Sequence, residues 1–239
     1  MAILPIDSGR YGTKEMLEIF GEQKKVDYQL QIEAAAALSQ SEINLIPKSI
    51  AKDIAKAARS GKITAKRIKQ LEAKSDHDTA ALVESLAERC RKESRPWIHY
   101  GLTSNDLVDT SNSMQMRDAI KIIQPKVGKL ALLLSKNAVK YKMLPAVGRT
   151  HGQHASIISF GLKFANWASE MATHLERLDE IKKRILICKT LGVVGTGSLM
   201  GKDAVRVQER VAKKLSLFPA KVTTQIIPRE RYAEYIFQL

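Results

Sequence analysis

Residues 160–185, FGLKFANWASEMATHLERLDEIKKRI, are the stretch from which the fold class follows. Apolar side chains recur in it at every third or fourth position without a proline, which is the period of one face of an α-helix. These positions are Phe160, Phe164, Trp167, Met171, Leu175, Leu178, Ile181 and Ile185. Such a helix is roughly 40 Å long and needs partner helices of similar length to bury its apolar face. We therefore predict an all-α protein containing part of a long-helix bundle that is shared between subunits.

Shorter helical patterns precede and follow this stretch. They predict a helix that ends at Gly61, one capped by Thr64, one beginning near Asp78, one through residues 127–138, one over residues 204–215 and one beginning near Arg229. The Trp and Met of the long stretch are interpreted as core residues. Residues 1 to about 20 contain Pro5, Gly9 and Gly12 and are expected to lie irregularly on the surface.

Pro96 marks the predicted domain boundary. Proline disfavours helix at the residue before it, so Arg95-Pro96-Trp97 interrupts the series of short helices. The helical segments after this point are much longer. We therefore predict a small N-terminal helical domain over residues 1–96 and a partial long-helix bundle domain over residues 97–239.

Composition limits the class of partner and the compartment. The formal net charge is +14, which suggests nucleic acid, but the basic residues are spread along the chain and no basic run alternates with aromatic residues. A solvated basic surface or a cleft for a polyanionic small molecule explains the charge. Cys90 and Cys188 lack metal or disulfide spacing and are predicted to be buried thiols. With Asp7 and Arg10 near the start and no long apolar run, we expect a cytoplasmic protein without a membrane partner.

Three polar clusters are candidates for chemistry, and two of them have a structural explanation. Ser75-Asp76-His77-Asp78 begins a helix, where a histidine is more often a cap than a catalyst. Gly101-Leu102-Thr103-Ser104-Asn105-Asp106 has the spacing of a capping box. The same geometry offers free backbone N–H groups, a helix dipole and two hydroxyls to a carboxylate or phosphate. Both readings of this second cluster remain open.

The third cluster is Gly148-Arg149-Thr150-His151-Gly152-Gln153-His154. Its two histidines could bind a metal ion, but no further ligand set is evident. A role in general acid–base catalysis fits better, because histidine titrates near neutral pH without help. We therefore expect no metal.

In combination these motifs resemble the adenylosuccinate lyase family of the fumarase/aspartase superfamily. The resemblance covers essentially the whole chain in order. The matching segments are Arg10-Tyr11, His77-Asp78, Thr103-Ser104-Asn105-Asp106, Gly148 to Ala155, Gly192-Val193-Val194-Gly195-Thr196 and Thr224 to Arg231. It implies a cofactor-free homotetramer of long helices in which three subunits build each active site.

The resemblance also implies a reaction and residue roles. The reaction is β-elimination of fumarate from adenylosuccinate, giving AMP, and from succinyl-aminoimidazole-carboxamide ribotide in purine biosynthesis. His151 would be the general acid and His77 would assist. Thr103, Ser104 and Gln225 would bind the succinyl carboxylates. Arg10, Tyr11, His77 and Asp78 would line the nucleotide and phosphate side. Substrate-binding roles are also implied for Asp76 and Thr150.

The chain departs from the family pattern at its end. The third family block, an SSxMPxKxN loop carrying the serine thought to act as the base, is absent, and Ser198-Leu199-Met200-Gly201-Lys202 is no substitute. We therefore expect an N-terminal portion of the enzyme that has little or no lyase activity alone. The alternatives are another fumarate-releasing lyase of the superfamily, or a non-catalytic basic helical module that binds protein or nucleic acid.

Overall fold

The structure is a computed structural model that describes residues 9–239. The predicted all-α class is confirmed, since helices account for most of the described chain. The helices are α1 (Lys14–Phe20), α2 (Glu22–Ser41), α3 (Lys48–Ala58), α4 (Ala65–Ser75), α5 (Asp78–Ala87), α6 (Ser104–Lys140), α7 (Gly161–Ile185), α8 (Ala204–Leu215) and α9 (Glu230–Phe237). The 3-10 helices Lys92–Trp97 and Ser198–Asp203 lie between them.

Helix starts follow the capping residues of the sequence. The Thr64 hydroxyl accepts the backbone N–H of Arg67 at 3.2 Å and begins α4, as predicted. Thr13 caps α1 in the same way, accepting from Met16 at 3.4 Å. The prediction of an irregular segment to about residue 20 was therefore wrong for residues 14–20, while Pro5 lies outside the described residues.

Helix α6 is longer than the patterns predicted. One continuous helix of 37 residues begins at Ser104 and includes the predicted segment 127–138, with Pro125 inside it. A proline removes one backbone hydrogen bond, but it fixes φ near a helical value. The hydrogen bonds of the neighbouring turns therefore keep the helix continuous. The helix ends at Lys140, ahead of Pro145 as predicted.

Two small sheets accompany the helices within residues 9–239. Strands β1 (Pro145–Thr150) and β2 (Gln153–Ser159) form an antiparallel hairpin, and β3 (Ile187–Cys188) pairs with β4 (Phe218–Pro219) in parallel. These strands were not predicted from the sequence. The hairpin was missed because its turn consists of His151 and Gly152, and a histidine at positive φ is an uncommon turn residue.

The chain divides into two compact units. The first comprises residues up to Asp118 together with Lys183–Tyr232. Within it α2 packs against α3 and α8, and α4 packs against α5. Its largest fully buried apolar side chains are Tyr28, Ile32, Ile54, Leu82, Leu86, Leu107, Met114, Ile185 and Ile227. The boundary predicted at residue 96 falls within this unit, in the 3-10 helix Lys92–Trp97, and it stays a prediction.

The second unit comprises Ala119–Lys182 and Ala233–Leu239. Tyr141, Phe160, Phe164 and Trp167 form a chain of ring contacts with centroids 5.5–5.7 Å apart. The predicted core character of the α7 stripe is confirmed at Leu178, which is buried. Trp167 is 44% exposed in the single chain and its ring contacts Phe164; its predicted core position depends on the predicted partner subunits and stays a prediction.

The cysteines are free and buried, as predicted. Burial raises the pKa of Cys90 to about 11 and that of Cys188 to about 12, so both thiols stay protonated near neutral pH. Across residues 9–239, no helix combines the length and the apolar character needed to cross a membrane.

Candidate active site

The N-terminus of α6 presents unused hydrogen-bonding groups. Thr103 immediately precedes the helix, and Ser104 is its first residue. Both side chains are half-buried, and in the described chain neither hydroxyl makes a hydrogen bond. The first turn of a helix also has N–H groups without intrahelical partners. This end of α6 therefore has the donors and the dipole that a carboxylate needs.

The buried carboxylate of Asp106 accepts backbone N–H groups at this turn. Asp106 Oδ2 accepts the backbone N–H of Thr103 at 3.0 Å, which confirms half of the predicted capping box. The same oxygen accepts the N–H of Gly192, also at 3.0 Å. Asp106 Oδ1 lies 2.5 Å from Lys189 Nζ, and both side chains are fully buried. Burial raises the pKa of Asp106, against the opposing effects of Lys189 and the two amides.

A second buried carboxylate lies one turn further along α6. Asp109 accepts the N–H of Ile227 at 2.8 Å and the guanidinium of Arg229 at 2.6 Å. The hydroxyl of Tyr232 donates to it at 3.2 Å. These contacts fix the segment that contains Gln225, whose own side chain is exposed. The first two turns of α6 therefore anchor two distant parts of the chain.

The glycine-containing loop 191–197 connects these two parts. Gly192 has φ +74°, and a Cβ at this position would lie 3.0 Å from the carbonyl oxygen of Gly101. Gly195 has φ +78°, and a Cβ there would overlap the carbonyl oxygen of Thr223. The loop thus contacts the segment before Thr103 on one side and the segment before Gln225 on the other. The structure brings Thr103, Ser104 and Gln225 onto adjoining segments of the first unit.

His99 and the buried Glu33 form a second ion pair, in the segment that leads into Thr103. Glu33 is 2% exposed; its Oε1 lies 2.6 Å from His99 Nδ1, and its Oε2 accepts the N–H of His99 at 3.1 Å. Burial by itself lowers the pKa of His99, but the hydrogen bond to Glu33 and the charges of Glu33 and Asp106 outweigh it. The pKa of His99 is therefore raised, which favours the imidazolium form.

His77 has a structural task in the first unit. Its Nδ1 accepts the N–H of Ala80 at 3.3 Å, so His77 is the N-cap of α5. A helix cap was the structural role considered for His77 from the sequence. With Nδ1 occupied as an acceptor, the hydrogen-bond pattern assigns the proton of the neutral ring to Nε2. Asp78 accepts the N–H of Thr79 at 2.6 Å, and Asp76 ends α4 with φ 51°.

Arg10 and Tyr11 lie at the start of the described chain. The Arg10 guanidinium lies 5.5 Å from the centroid of the Tyr11 ring, and the Tyr11 side chain is 69% exposed. In the part of the chain that the structure describes, no hydrogen bond or ion pair joins either residue to another candidate.

The second unit carries His151 and Thr150 in the β1–β2 hairpin. The paired residues Thr150 and Gln153 flank a two-residue turn of His151 and Gly152, with φ values of 53° and 72°. Both turn residues have the left-handed backbone of a type I′ turn. The His151 side chain is exposed, while His154 Nε2 lies 3.2 Å from an Arg149 amino nitrogen. His151 is thus presented to solvent at the tip of a hairpin.

Residues 9–239 contain no cluster of three or more His, Cys, Asp or Glu side chains that could hold a metal ion. The sequence analysis missed the roles of Lys189, Asp109 and the His99–Glu33 pair. A signal for Lys189 was present, because a lysine inside the run ILICKTL needs a buried partner. No comparable signal pointed to Glu33, which belongs to an ordinary helical segment.

The chain is similar to known proteins along its whole length. A family described as lyase matches residues 9–239. The chain is 44% identical over all 239 residues to the adenylosuccinate lyase of Methanocaldococcus jannaschii, of which it covers 52%. It is 40% identical to that of Archaeoglobus fulgidus, matching 99% of this chain and 52% of the relative. A solved fumarate lyase from Mesorhizobium sp. BNC1 superposes with a TM-score of 0.88 at 29% identity, over 95% of this chain and 54% of that one. The chain spans about half the length of the curated relatives it matches.

Proposed function

Because the chain belongs to the lyase family that matches residues 9–239, we propose that its function is that of an adenylosuccinate lyase. The resemblance to the fumarase/aspartase superfamily that the motifs predicted is confirmed by this membership and by the named relatives. The proposed reaction is β-elimination of fumarate from adenylosuccinate, leaving AMP, and from succinyl-aminoimidazole-carboxamide ribotide. The carrying observation is that Thr103, Ser104 and Gln225 lie on adjoining segments, with unused hydroxyls at the start of α6.

The α6 N-terminus is proposed to bind the succinyl carboxylates. In the elimination, a base removes a proton from the carbon beside a carboxylate, and negative charge develops on that carboxylate. The electron pair then forms the C=C bond of fumarate as the C–N bond breaks, and its bonding pair leaves with the nitrogen. The hydroxyls of Thr103 and Ser104 and the free N–H groups of the first turn are donors at the start of α6, and the Gln225 amide is a further donor on an adjoining segment. Donors that are in place before the charge develops stabilise the transition state without reorganisation.

The two histidines are proposed to act in proton transfer. His151 would protonate the departing nitrogen, which is a poor leaving group without that proton. Its exposed position at the tip of the hairpin leaves the ring accessible to a substrate. His77 would present Nε2–H as a donor to the nucleotide and phosphate side of the substrate, for which Arg10, Tyr11 and Asp78 are also proposed. Asp76 and Thr150 are proposed as further substrate-binding residues.

The first test is calorimetric binding of adenylosuccinate, AMP and fumarate, with a turnover assay alongside. We expect this chain to bind ligand without turnover, because the block that carries the family's base is not in it. Thr103→Val and Ser104→Ala should each weaken fumarate binding severalfold. Neither substitution removes a hydrogen bond of the fold, since neither hydroxyl makes one in the described chain.

His151→Asn is the matched variant for the proton-transfer role. Asparagine tolerates the left-handed backbone of position 151, so the hairpin is retained while the acid is lost. In the full-length enzyme we expect it to lower kcat by about 10²–10⁴-fold, the usual contribution of a general acid. Unchanged kcat would exclude His151 as the acid. Absence of binding to the full-length enzyme would refute the proposed substrate.

A different fumarate-releasing lyase is the second candidate. It is favoured by the superposition on the fumarate lyase, whose identity to this chain is 29%. A panel of adenylosuccinate, argininosuccinate, aspartate and malate separates the two. A preference for any of the last three would favour the second candidate.

Assembly and compartment belong to the same proposal. We propose a cytoplasmic homotetramer that acts on small molecules without a cofactor and binds neither nucleic acid nor membrane. Many cations of the basic surface already have acidic partners, including Arg210 and Lys214, which both contact Glu42. Salt-dependent RNA or DNA binding by a chain that ignores adenylosuccinate would support the non-catalytic module instead.

A further inference from the structure

The ion pair between Asp106 and Lys189 is fully buried, and burying two charges is costly to the fold. Both side chains have 0% exposure, and 2.5 Å separates Oδ1 from Nζ. Removing two charges from water costs several kcal/mol per ion, which the attraction between them often only repays. Apolar replacements of such pairs are frequently neutral or stabilising. A role besides stability is therefore worth seeking in what the pair holds.

The pair holds two backbones on opposite sides. Through its second oxygen, Asp106 accepts the N–H groups of Thr103 and Gly192, both at 3.0 Å. From the other side, Lys189 Nζ donates to the carbonyl of Gly192 at 3.0 Å. Both polar backbone groups of Gly192 are thus bound to the pair, as is the amide of Thr103, the residue before α6.

The fit between these two backbones leaves little room for adjustment. Gly101 and Gly192 both have positive φ, and a Cβ at Gly192 would lie 3.0 Å from the Gly101 carbonyl oxygen. A small displacement of the loop therefore moves the segment that leads into Thr103. Thr110 adds a further link, since its hydroxyl bonds both the N–H and the carbonyl of Lys189 at 3.1 and 3.0 Å.

We propose that Asp106 and Lys189 are positioning residues that hold the first turn of α6 and the loop 191–197 as one carboxylate-binding surface. The proposal rests on the proposed function. Neither side chain touches the ligand, because both are fully buried. They act through Thr103 and Ser104, whose free donors face a dicarboxylate only when the two backbones are in register. Asp109 and Arg229 anchor a different segment, residues 223–229, and supply the matched comparison.

The test uses the double variant Asp106→Asn/Lys189→Met, which removes both buried charges and leaves a carbonyl to accept the two amides. Asp109→Asn/Arg229→Met is the control. Amide exchange is followed by mass spectrometry on the whole chain. We expect exchange at residues 99–105 and 190–197 to rise at least tenfold in the first variant, with residues 222–229 unchanged. The control should show the reverse pattern.

Ligand affinity separates positioning from a merely structural role. In the full-length enzyme the first variant should bind fumarate at least tenfold more weakly, while its affinity for AMP stays within twofold. Equal losses for both ligands, no loss for fumarate, or faster exchange spread over the whole chain would each overturn the proposal. Gly192→Ala disturbs the same contact without a buried charge and should also weaken fumarate binding selectively; unchanged fumarate affinity in it would be contrary to the proposal.

Failure of the proposed function gives a different result. If the wild-type enzyme binds neither fumarate nor AMP, the lyase assignment fails, and the exchange pattern alone decides whether the pair holds the two backbones in register. A localised rise supports that part of the proposal, and an unaltered pattern refutes it.

Discussion

Protonation of His99 makes the free energy of unfolding depend on pH. The folded-state pKa is raised, so protonated His99 stabilises the fold fully below its unfolded pKa of about 6.5. This contribution is lost as the pH rises through the folded pKa. We expect the free energy of unfolding, measured by urea denaturation, to fall over that interval. Glu33→Gln keeps the shape of the pair, removes the charge and should abolish most of this fall.

His154 provides the control for this prediction. It is exposed on the hairpin of the second unit, so His154→Asn leaves the Glu33–His99 pair intact and should retain the fall in stability assigned to His99. A wild-type stability that rises above pH 6.5, or a Glu33→Gln variant with the wild-type slope, would contradict the role assigned to His99.

The sequence predicted candidate residues better than it predicted their supports. Thr103 was identified from a capping box, a local pattern whose two members lie three residues apart. Lys189 and Asp109 were missed as supports because their partners are distant in sequence, as with the 120 residues between Asp109 and Arg229. Spacing along one chain carries no information about such pairs. The residues that contact solvent were therefore easier to find than those that hold them.

At the scale of elements, the β1–β2 hairpin depends on two left-handed residues. His151 and Gly152 have φ values of 53° and 72°, a geometry that β-branched residues do not tolerate. His151→Val should destabilise the hairpin by about 1–2 kcal/mol, whereas His151→Asn should leave it intact. Exchange of the amides of Val147 and Ile157, which pair across the strands, measures this directly. Equal exchange in the two variants would be inconsistent with the turn geometry.

Helices were predicted more completely than strands. The 3.6-residue period is repeated many times in α7 and α8, and the predicted inward positions Val207 and Val211 are fully buried. The hairpin offers only a few alternating positions, interrupted by a bulge between Val147 and Arg149. Short patterns of this kind cannot be separated from a loop. Of helix α6, only residues 127–138 were predicted from their apolar period, although the helix begins at Ser104.

At the scale of the whole molecule, the second unit exposes apolar side chains that favour association. Leu132 and Val139 lie two helical turns apart on α6 and are 57% and 65% exposed. We expect the chain to self-associate at micromolar concentration in sedimentation velocity. Leu132→Lys/Val139→Lys should shift it to a lower mass. Gln31→Lys/Ala73→Lys adds the same charge to exposed positions of the first unit and should not.

A concentration-independent monomer would remove the basis for the proposed tetramer. A shift to lower mass in both lysine variants would show that added charge, rather than the loss of the apolar patch, drives dissociation. Only a shift confined to the α6 variant supports association through this surface.

The buried carboxylates at the start of α6 also impose an order on folding while the chain is synthesised at the ribosome. Asp106 can bind Gly192 only after 86 more residues have been synthesised, and Asp109 can bind Arg229 only after 120 more. At about 5–20 residues per second, this delay is roughly 4–24 seconds. During that time the nascent chain presents two unpaired carboxylates that oppose burial of this helix face. Nascent chains arrested before residue 189 are therefore expected to be cleaved by protease within residues 99–110, a sensitivity that disappears once residue 232 has emerged.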